Sequence, residues 1–499
     1  MLTLMLYAVV AASVVCLTGA NPFPKTRDDR DPSYWNTEAD QELQDAIKLQ
    51  KTLGVARNVI LFLGDGMGIP SITTARILHG QMNQHSGEES TIAFDNFPHV
   101  ALSRTYSVDH QTPDSAGTAT AFLTGVKTNS YMIGQNAYTQ KGNCSSAAGN
   151  ELLTILDWSL AKGKSTGVVT TTRITHATPG ASYAHSAHRD WEGDSMMVNE
   201  TGHCVDIAKQ LVFNNSDIQE WIDKQKEKGR KYKYVWNHTE FDNIDPSSTD
   251  YVLGLFNQDH MQYELDRKLD KAGEPSLAQM TAKAIQVLKK NANGFFMLVE
   301  GGRIDHGHHN SEAVYAIHDT VAFADAVAKA VEMTSQTDTL IIVTADHSHT
   351  FSFGGYPSRG NPIFGVVDNA LDNNNHTFTT LAYANGPGYS TQHNANLTND
   401  VVENKTYHQS AGVPLSYETH GGEDVAIYAR GPMSHLFHGV HQQNYIAHVM
   451  AFASCVGEYA DDKKCVKSLV PPTSGVSRER VTAWWLLTVV VVCLLSRPF

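Results

Sequence analysis

Apolar and polar positions fall in blocks along this chain. Residues 58–63, NVILFL, form an unbroken apolar run closed by Gly64. Such a run predicts a strand buried on both faces, as in a parallel sheet. A helix-then-strand rhythm follows twice. Residues 152–162 carry a helical period and lead into TGVVTTT at 166–172; residues 277–290 do the same before GFFMLVE at 294–300. A longer helical stretch, 312–334, precedes TLIIVTA at 339–345. Strands alternating with helices predict an α/β fold, a three-layer α/β/α arrangement around a mostly parallel central sheet. Residues 40–51 form a polar amphipathic helix outside this rhythm, either an arm for a partner subunit or a solvated leader. Residues 354–418, rich in Gly, Asn, Thr and Tyr, break the rhythm and predict a small surface β insertion. No internal repeat is evident.

The chain has 499 residues, 41% of them hydrophobic, enough for one large α/β domain with insertions or for two or more smaller ones. The net charge of −14 and the absence of a basic stripe exclude a nucleic-acid binder. An acidic surface also repels anions, so phosphate chemistry here needs metal ions or a placed arginine. Both ends carry processing signals. Residues 1–20 are uncharged and apolar and end in Thr18-Gly19-Ala20, the pattern of a secretory signal peptide. The apolar run 481–495 falls short of a span of roughly 20 residues. The small residues Thr473, Ser474 and Gly475 and a spacer with Arg478 and Arg480 precede it. This layout predicts a glycolipid (GPI) anchor on Ser474, with 475–499 removed and 21–474 as the mature domain.

Of six cysteines, Cys16 and Cys493 lie in the removed segments. The other four predict two disulfides in a secreted chain. Cys455 with Cys465 closes a short loop, which leaves Cys144 with Cys204. Glycosylation sequons at Asn199, Asn214, Asn237, Asn375, Asn396 and Asn404 agree with the outer face of the plasma membrane.

Candidate chemistry gathers after the strands. TPDSAGTATA at 112–121 predicts a helix that starts at Ser115, capped by Asp114 and stopped by Gly125. A serine at a helix N-terminus faces free N–H groups and suits an anion. No local histidine base accompanies it. Asp65, Thr172, His176, Glu300, Asp346 and His347 all follow apolar strands, and ligands of open α/β sheets bind beyond the carboxyl ends of strands. In EGGRIDHGHH, Asp305 and His309 are four apart and share a helix face; ETHGGED adds His420. Taken alone, His-Gly-His-His is a solvent-facing turn and Asp-His a structural hydrogen bond. Together behind one sheet they favour metal ligation. Asp305, His309 and His420 suit one zinc; Asp65, Asp346 and His347 suit another; Asp65, Thr178 and Glu300 offer an oxygen-only site for magnesium.

LFLGDGMG, TPDSAGTATA, TRITHATP, VEGGRIDHGHH, TADHSHTFSFGG and THGGEDVAIYARGP resemble, in order and in spacing, the motifs of the metazoan alkaline phosphatases over most of residues 35–470. The resemblance implies a homodimeric, lipid-anchored phosphomonoesterase with two zinc ions and one magnesium and broad specificity for small phosphate monoesters. It implies Ser115 as the nucleophile that becomes phosphorylated, activated by zinc rather than by a base, and Arg189 as the clasp on two phosphate oxygens. It assigns the two zinc sets and the magnesium set as above, with His176 beside the magnesium. One departure stands out. After Leu211 the family carries a further strand, a glycine-rich turn and a variable loop, and this chain lacks that block. The block supplies an acidic calcium ligand; of the other matching positions, Phe256, Asn257 and Glu274, Asn257 stands where an acid is usual. Calcium is therefore doubtful. Loss of a strand exposes a sheet edge and lowers stability.

Three other readings remain. A sulfatase needs a different nucleophile motif. A related phosphodiesterase is disfavoured by Ser115, Glu300 and Arg189. A non-catalytic or weakened glycosylated surface protein, with a binding or receptor role, is kept open by the missing block.

Overall fold

A computed structural model describes residues 30–197, 204–212, 218–389 and 397–469. The signal segment 1–20, Ser474 with the tail 475–499, and Asn199, Asn214 and Asn396 lie outside the described residues. The central sheet has seven strands. In chain order they are β1 (Asn58–Gly64), β2 (His99–Arg104), β3 (Ser165–Thr170), β4 (Phe295–Gly301), β5 (Thr339–Ala345), β6 (Val425–Arg430) and β7 (Gly439–Gln442). Their spatial order is β7-β2-β6-β5-β1-β4-β3. Only β6 runs against the others, pairing antiparallel with both β5 and β2. The three apolar runs are β1, β4 and β5, adjacent at the centre and buried at every position.

Side-chain alternation sends each strand into two cores. Val59, Leu61 and Leu63 of β1 face one, where Phe122 and Ile446 pack. Ile60 and Phe62 face the other, with Ile285 and Phe323. Among the helices α1 (Pro32–Lys48), α2 (Ile69–Met82), α3 (Ser115–Thr124), α4 (Leu277–Leu288), α5 (Arg303–His309), α6 (Ala313–Met333) and α7 (Tyr445–Ser454), it is α3, α4, α6 and α7 that carry most of these contacts. α3 and α7 cover one face; α4 and α6 cover the other. The three layers agree with the pattern of the sequence. A separate three-stranded sheet joins Phe351–Phe353, Leu381–Gly386 and Ala411–Pro414, two of them within 354–418.

Boundaries shift where caps decide them. The leader helix runs Pro32–Lys48 because Asp31 accepts from Ser33 N–H and Pro32 opens the first turn. It has no buried residue. Cys144–Cys204 and Cys455–Cys465 are both bonded, the latter just beyond α7. No helix among the described residues is long and apolar enough to cross a membrane.

Candidate active site and metal centre

Parallel register brings the acidic strand ends together. Gly64 of β1 lies between Gly301 of β4 and Ala345 of β5, and Thr170 of β3 sits opposite Glu300. Asp65, Glu300 and Asp346 therefore converge at one edge, each fully buried. Gly66 follows in the left-handed region at φ 66°, and a Cβ there would lie 2.3 Å from His349 Nε2. Only glycine lets the chain turn this close to the site.

Ser115 opens α3 as the sequence predicts. Asp114 Oδ1 accepts from Gly117 N–H at 3.1 Å, and the helix stops at Gly125, φ 79°. Ser115 Oγ lies 3.4 Å from Asp65 Oδ1 and 3.2 Å from His347 Nε2. His347 Nε2 also lies 3.1 Å from Asp346 Oδ2. Asp346 is fixed by the amides of Gly66 and His347 and by the Thr118 hydroxyl. Asp65, Asp346 and His347 thus surround the serine oxygen.

A second group centres on Asp305. α5 puts Asp305 and His309 one turn apart, 3.4 Å from Oδ1 to Nε2, and His420 Nε2 is 3.4 Å from the same oxygen. His309 Nδ1 faces the Glu418 carbonyl at 2.5 Å, and His420 Nδ1 faces the Pro113 carbonyl at 2.8 Å. A carbonyl only accepts, so each Nδ1 carries a proton, and each Nε2 is turned toward Asp305. Those two nitrogens are 3.1 Å apart. Two imidazole nitrogens this close to each other and to Asp305 suit ligation of one shared cation. Burial, the largest influence on His309, pushes it down to about 4, which keeps the ring neutral and ligand-ready.

The third group is Asp65, His176 and Glu300. Glu300 Oε2 accepts from the Thr170 and Thr172 hydroxyls. Glu300 Oε1, Asp65 Oδ2, Thr178 Oγ1 and His176 Nδ1 are buried without a hydrogen-bond partner. Four orphaned polar atoms in one locality fit a cation. Burial pushes Glu300 up to about 7. Burial and then the charges of Asp346 and Asp305 push Asp65 well above the carboxylate range. A cation among these acids would favour their ionised forms.

Arg189 donates to Asp114 Oδ2 at 3.1 Å, and its other terminal nitrogen is 3.1 Å from His176 Nε2. Asp114 therefore caps the serine's helix and also steers the arginine. That second role was not visible in the sequence. Neither was His349, whose Nε2 is 2.9 Å from Asp305 Oδ1 and whose Nδ1 is 2.5 Å from Glu418 Oε2. Burial works against its charge, but Glu418 and Asp305 outweigh it and push it up to about 10. His349 lies within ligand distance of His347, His420 and Asp305, and of His309 and Glu418. The only sequence signals were the second histidine in TADHSH and the acid two residues before His420.

Three buried clusters of carboxylate and imidazole around a serine at a helix N-terminus, at the carboxyl edge of a mostly parallel sheet, define a metal-dependent hydrolase site. The alkaline phosphatase family model matches residues 56–220 and 215–456. The rat tissue-nonspecific alkaline phosphatase is 47% identical over 509 aligned positions, covering 94% of this chain and 96% of the relative. An alkaline phosphatase from Gadus morhua is 45% identical, covering 86% and 98%. In structure, the alkaline phosphatase of the Antarctic bacterium TAB5 superposes with a TM-score of 0.56 at 23% identity, covering 80% of this chain and 99% of that one, a likeness of fold. The chain belongs to the alkaline phosphatase family. It is a metal-dependent enzyme that hydrolyses phosphate monoesters.

Proposed function

We propose that Ser115 is the nucleophile of this hydrolysis and becomes phosphorylated. The observation that carries the reading is Ser115 Oγ at the capped start of α3, within 3.4 Å of Asp65 and 3.2 Å of His347. Asp305, His309 and His420 would hold one zinc ion, Asp65, Asp346 and His347 a second, and Asp65, Thr178 and Glu300 magnesium, with His176 beside it. Such ions lower the pKa of a hydroxyl and neutralise charge on the attacking and leaving oxygens.

The chain's own groups do the positioning. Asp114 orients the first turn of α3 so that its free amides face the phosphoryl oxygens. Arg189, steered by Asp114, is placed to clasp two of those oxygens bidentately. Ser115 attacks phosphorus in line with the leaving alcohol. Because recognition stops at the phosphoryl group, many monoesters serve as substrates.

We also read the molecule as a homodimer on the outer face of the plasma membrane, secreted, glycosylated and glycolipid-anchored. α1 supports the dimer. Its 17 residues bury nothing, and Trp35, Leu43 and Ile47 are exposed. Most helical stability in proteins comes from packing an amphipathic face, and α1 buries no residue against its own chain among the described residues, which supports a partner surface for it.

The test is hydrolysis of an aryl phosphate with zinc and magnesium, beside Ser115→Ala. Wild type should turn over and trap phosphate on a serine at low pH; Ser115→Ala should lose at least about 10³ in rate while melting like wild type. Equal rates in the two proteins would refute the assignment.

A further inference from the structure

A cavity of about 520 Å³ lies beside β3, walled by Val168, Trp221, Phe241, Leu253, Met280 and Leu288. β3 is the last strand of the sheet and pairs only with β4 among the described residues. Ser165 N–H donates to Gly294 C=O, on the β4 side. Strand alternation then turns the peptide groups of Gly167 and Val169 toward β4, and those of Thr166, Val168 and Thr170 toward the cavity. Among the described residues Tyr251–Gly254 and Trp221 lie across the cavity from this edge, and no strand pairs with it. STGVVT contains no proline and no charge, which are the usual defences of an unpaired strand.

The cavity also coincides with a break in the chain's likeness to its family. Leu211 and Trp221 line it, and the two family matches meet at residues 215–220 between them. The alignment with the rat relative has 509 positions against 499 residues here, so that relative carries residues this chain lacks.

We propose that this cleft binds an extended apolar peptide segment, supplied by another chain, as an eighth strand of the sheet. A hydrocarbon would fill the volume but leave the outward peptide groups of β3 unpaired. A strand supplies both the apolar side chains and the hydrogen bonds. Its side chains would alternate between the core that Val168 borders and the core of Val169, Met280 and Leu288.

The test uses full-length, metal-loaded protein. The probe is a synthetic peptide of the rat relative's residues that lie between the positions aligned with Leu211 and Ile218. Calorimetry should show saturable one-to-one binding and a raised melting midpoint. Two versions of the peptide, N-methylated at alternate amides in the two possible registers, then report on strand pairing. One should bind about tenfold or more weakly and the other near normally, because only one set of amides faces β3. Val168→Pro removes an outward N–H and spares the β4 ladder, so it should weaken the peptide by a similar factor. Should that variant fail to fold, the methylated peptides alone decide. Absence of saturable binding, equal affinity of both methylated peptides, or displacement of the peptide by dodecanoate with no effect of N-methylation would overturn the proposal.

Discussion

Glu300 ties the metal sites to stability in a way that can be measured. Its carboxyl is buried, one oxygen is held by Thr170 and Thr172, and the other has no hydrogen-bond partner. Burial pushes it from the ordinary 4.5 up to about 7. A raised acid is penalised when ionised. In the metal-free protein the folded state therefore loses stability as pH rises through 4.5 toward 7, and the full penalty stands above 7. At about 1.4 kcal/mol per pH unit this is about 3 kcal/mol. With unfolding entropy near ~2.1 cal/mol/K per residue, it corresponds to a shift on the order of 3 °C for a chain of this size. Glu300→Gln keeps the shape and removes the charge. With chelator at pH 9, the variant should melt higher than wild type by roughly that amount; at pH 4.5 the two should converge. With zinc and magnesium the order should reverse, because the variant has lost an anionic ligand. Scanning fluorimetry at the two pH values, with and without metals, reads all four cases. Identical metal-free midpoints at pH 9, or equal stabilisation of both proteins by metal, would refute the reasoning.

Three further substitutions separate positioning from packing. Asp114→Asn keeps an oxygen for the helix cap but weakens the hold on Arg189; it should raise KM for an aryl phosphate about tenfold, with a change of about 1 kcal/mol or less in stability. His349→Ala strips the partner from Asp305 and Glu418. It should cost about 3 kcal/mol in stability and lower zinc content by elemental analysis, since it removes the imidazole that bridges two buried carboxylates. Gly125→Ala forces a side chain into φ 79° and brings a Cβ to 2.9 Å from His448 Nε2; thermal melting should fall by about 1–2 kcal/mol with kcat unchanged.

The centre of the fold was legible because β1, β4 and β5 are buried on both faces and therefore apolar at every position. The flank was not. In β2, HVALSR, exposed and buried positions alternate, so its apolar content is too low to announce a strand. β6 runs against the sheet and follows no crossover helix, so the helix-then-strand rhythm does not lead to it. At the site, residues that follow strands were legible, because strand ends are where a parallel sheet places ligands. Thr170 and Thr172 as the holders of Glu300, and His349 as the link between Asp305 and Glu418, depend on register and on side-chain direction. The exposed edge of β3 accords with the missing block, which was visible only through likeness to a family.

The Cys144–Cys204 bond also divides the site by topology. The segment it closes contains Thr170, His176, Thr178 and Arg189; Ser115, Asp305, His309, His347 and His420 lie outside it. One covalent ring thus carries one wall of the Asp65, His176 and Glu300 cluster and Arg189, and the open chain carries Ser115 and most of the imidazoles. Breaking this bond would lengthen the tether on those four residues and leave the connection of the chain that carries Ser115 unchanged. The bond therefore limits how far Thr170, His176, Thr178 and Arg189 can stray from one another while the rest of the site assembles around Ser115.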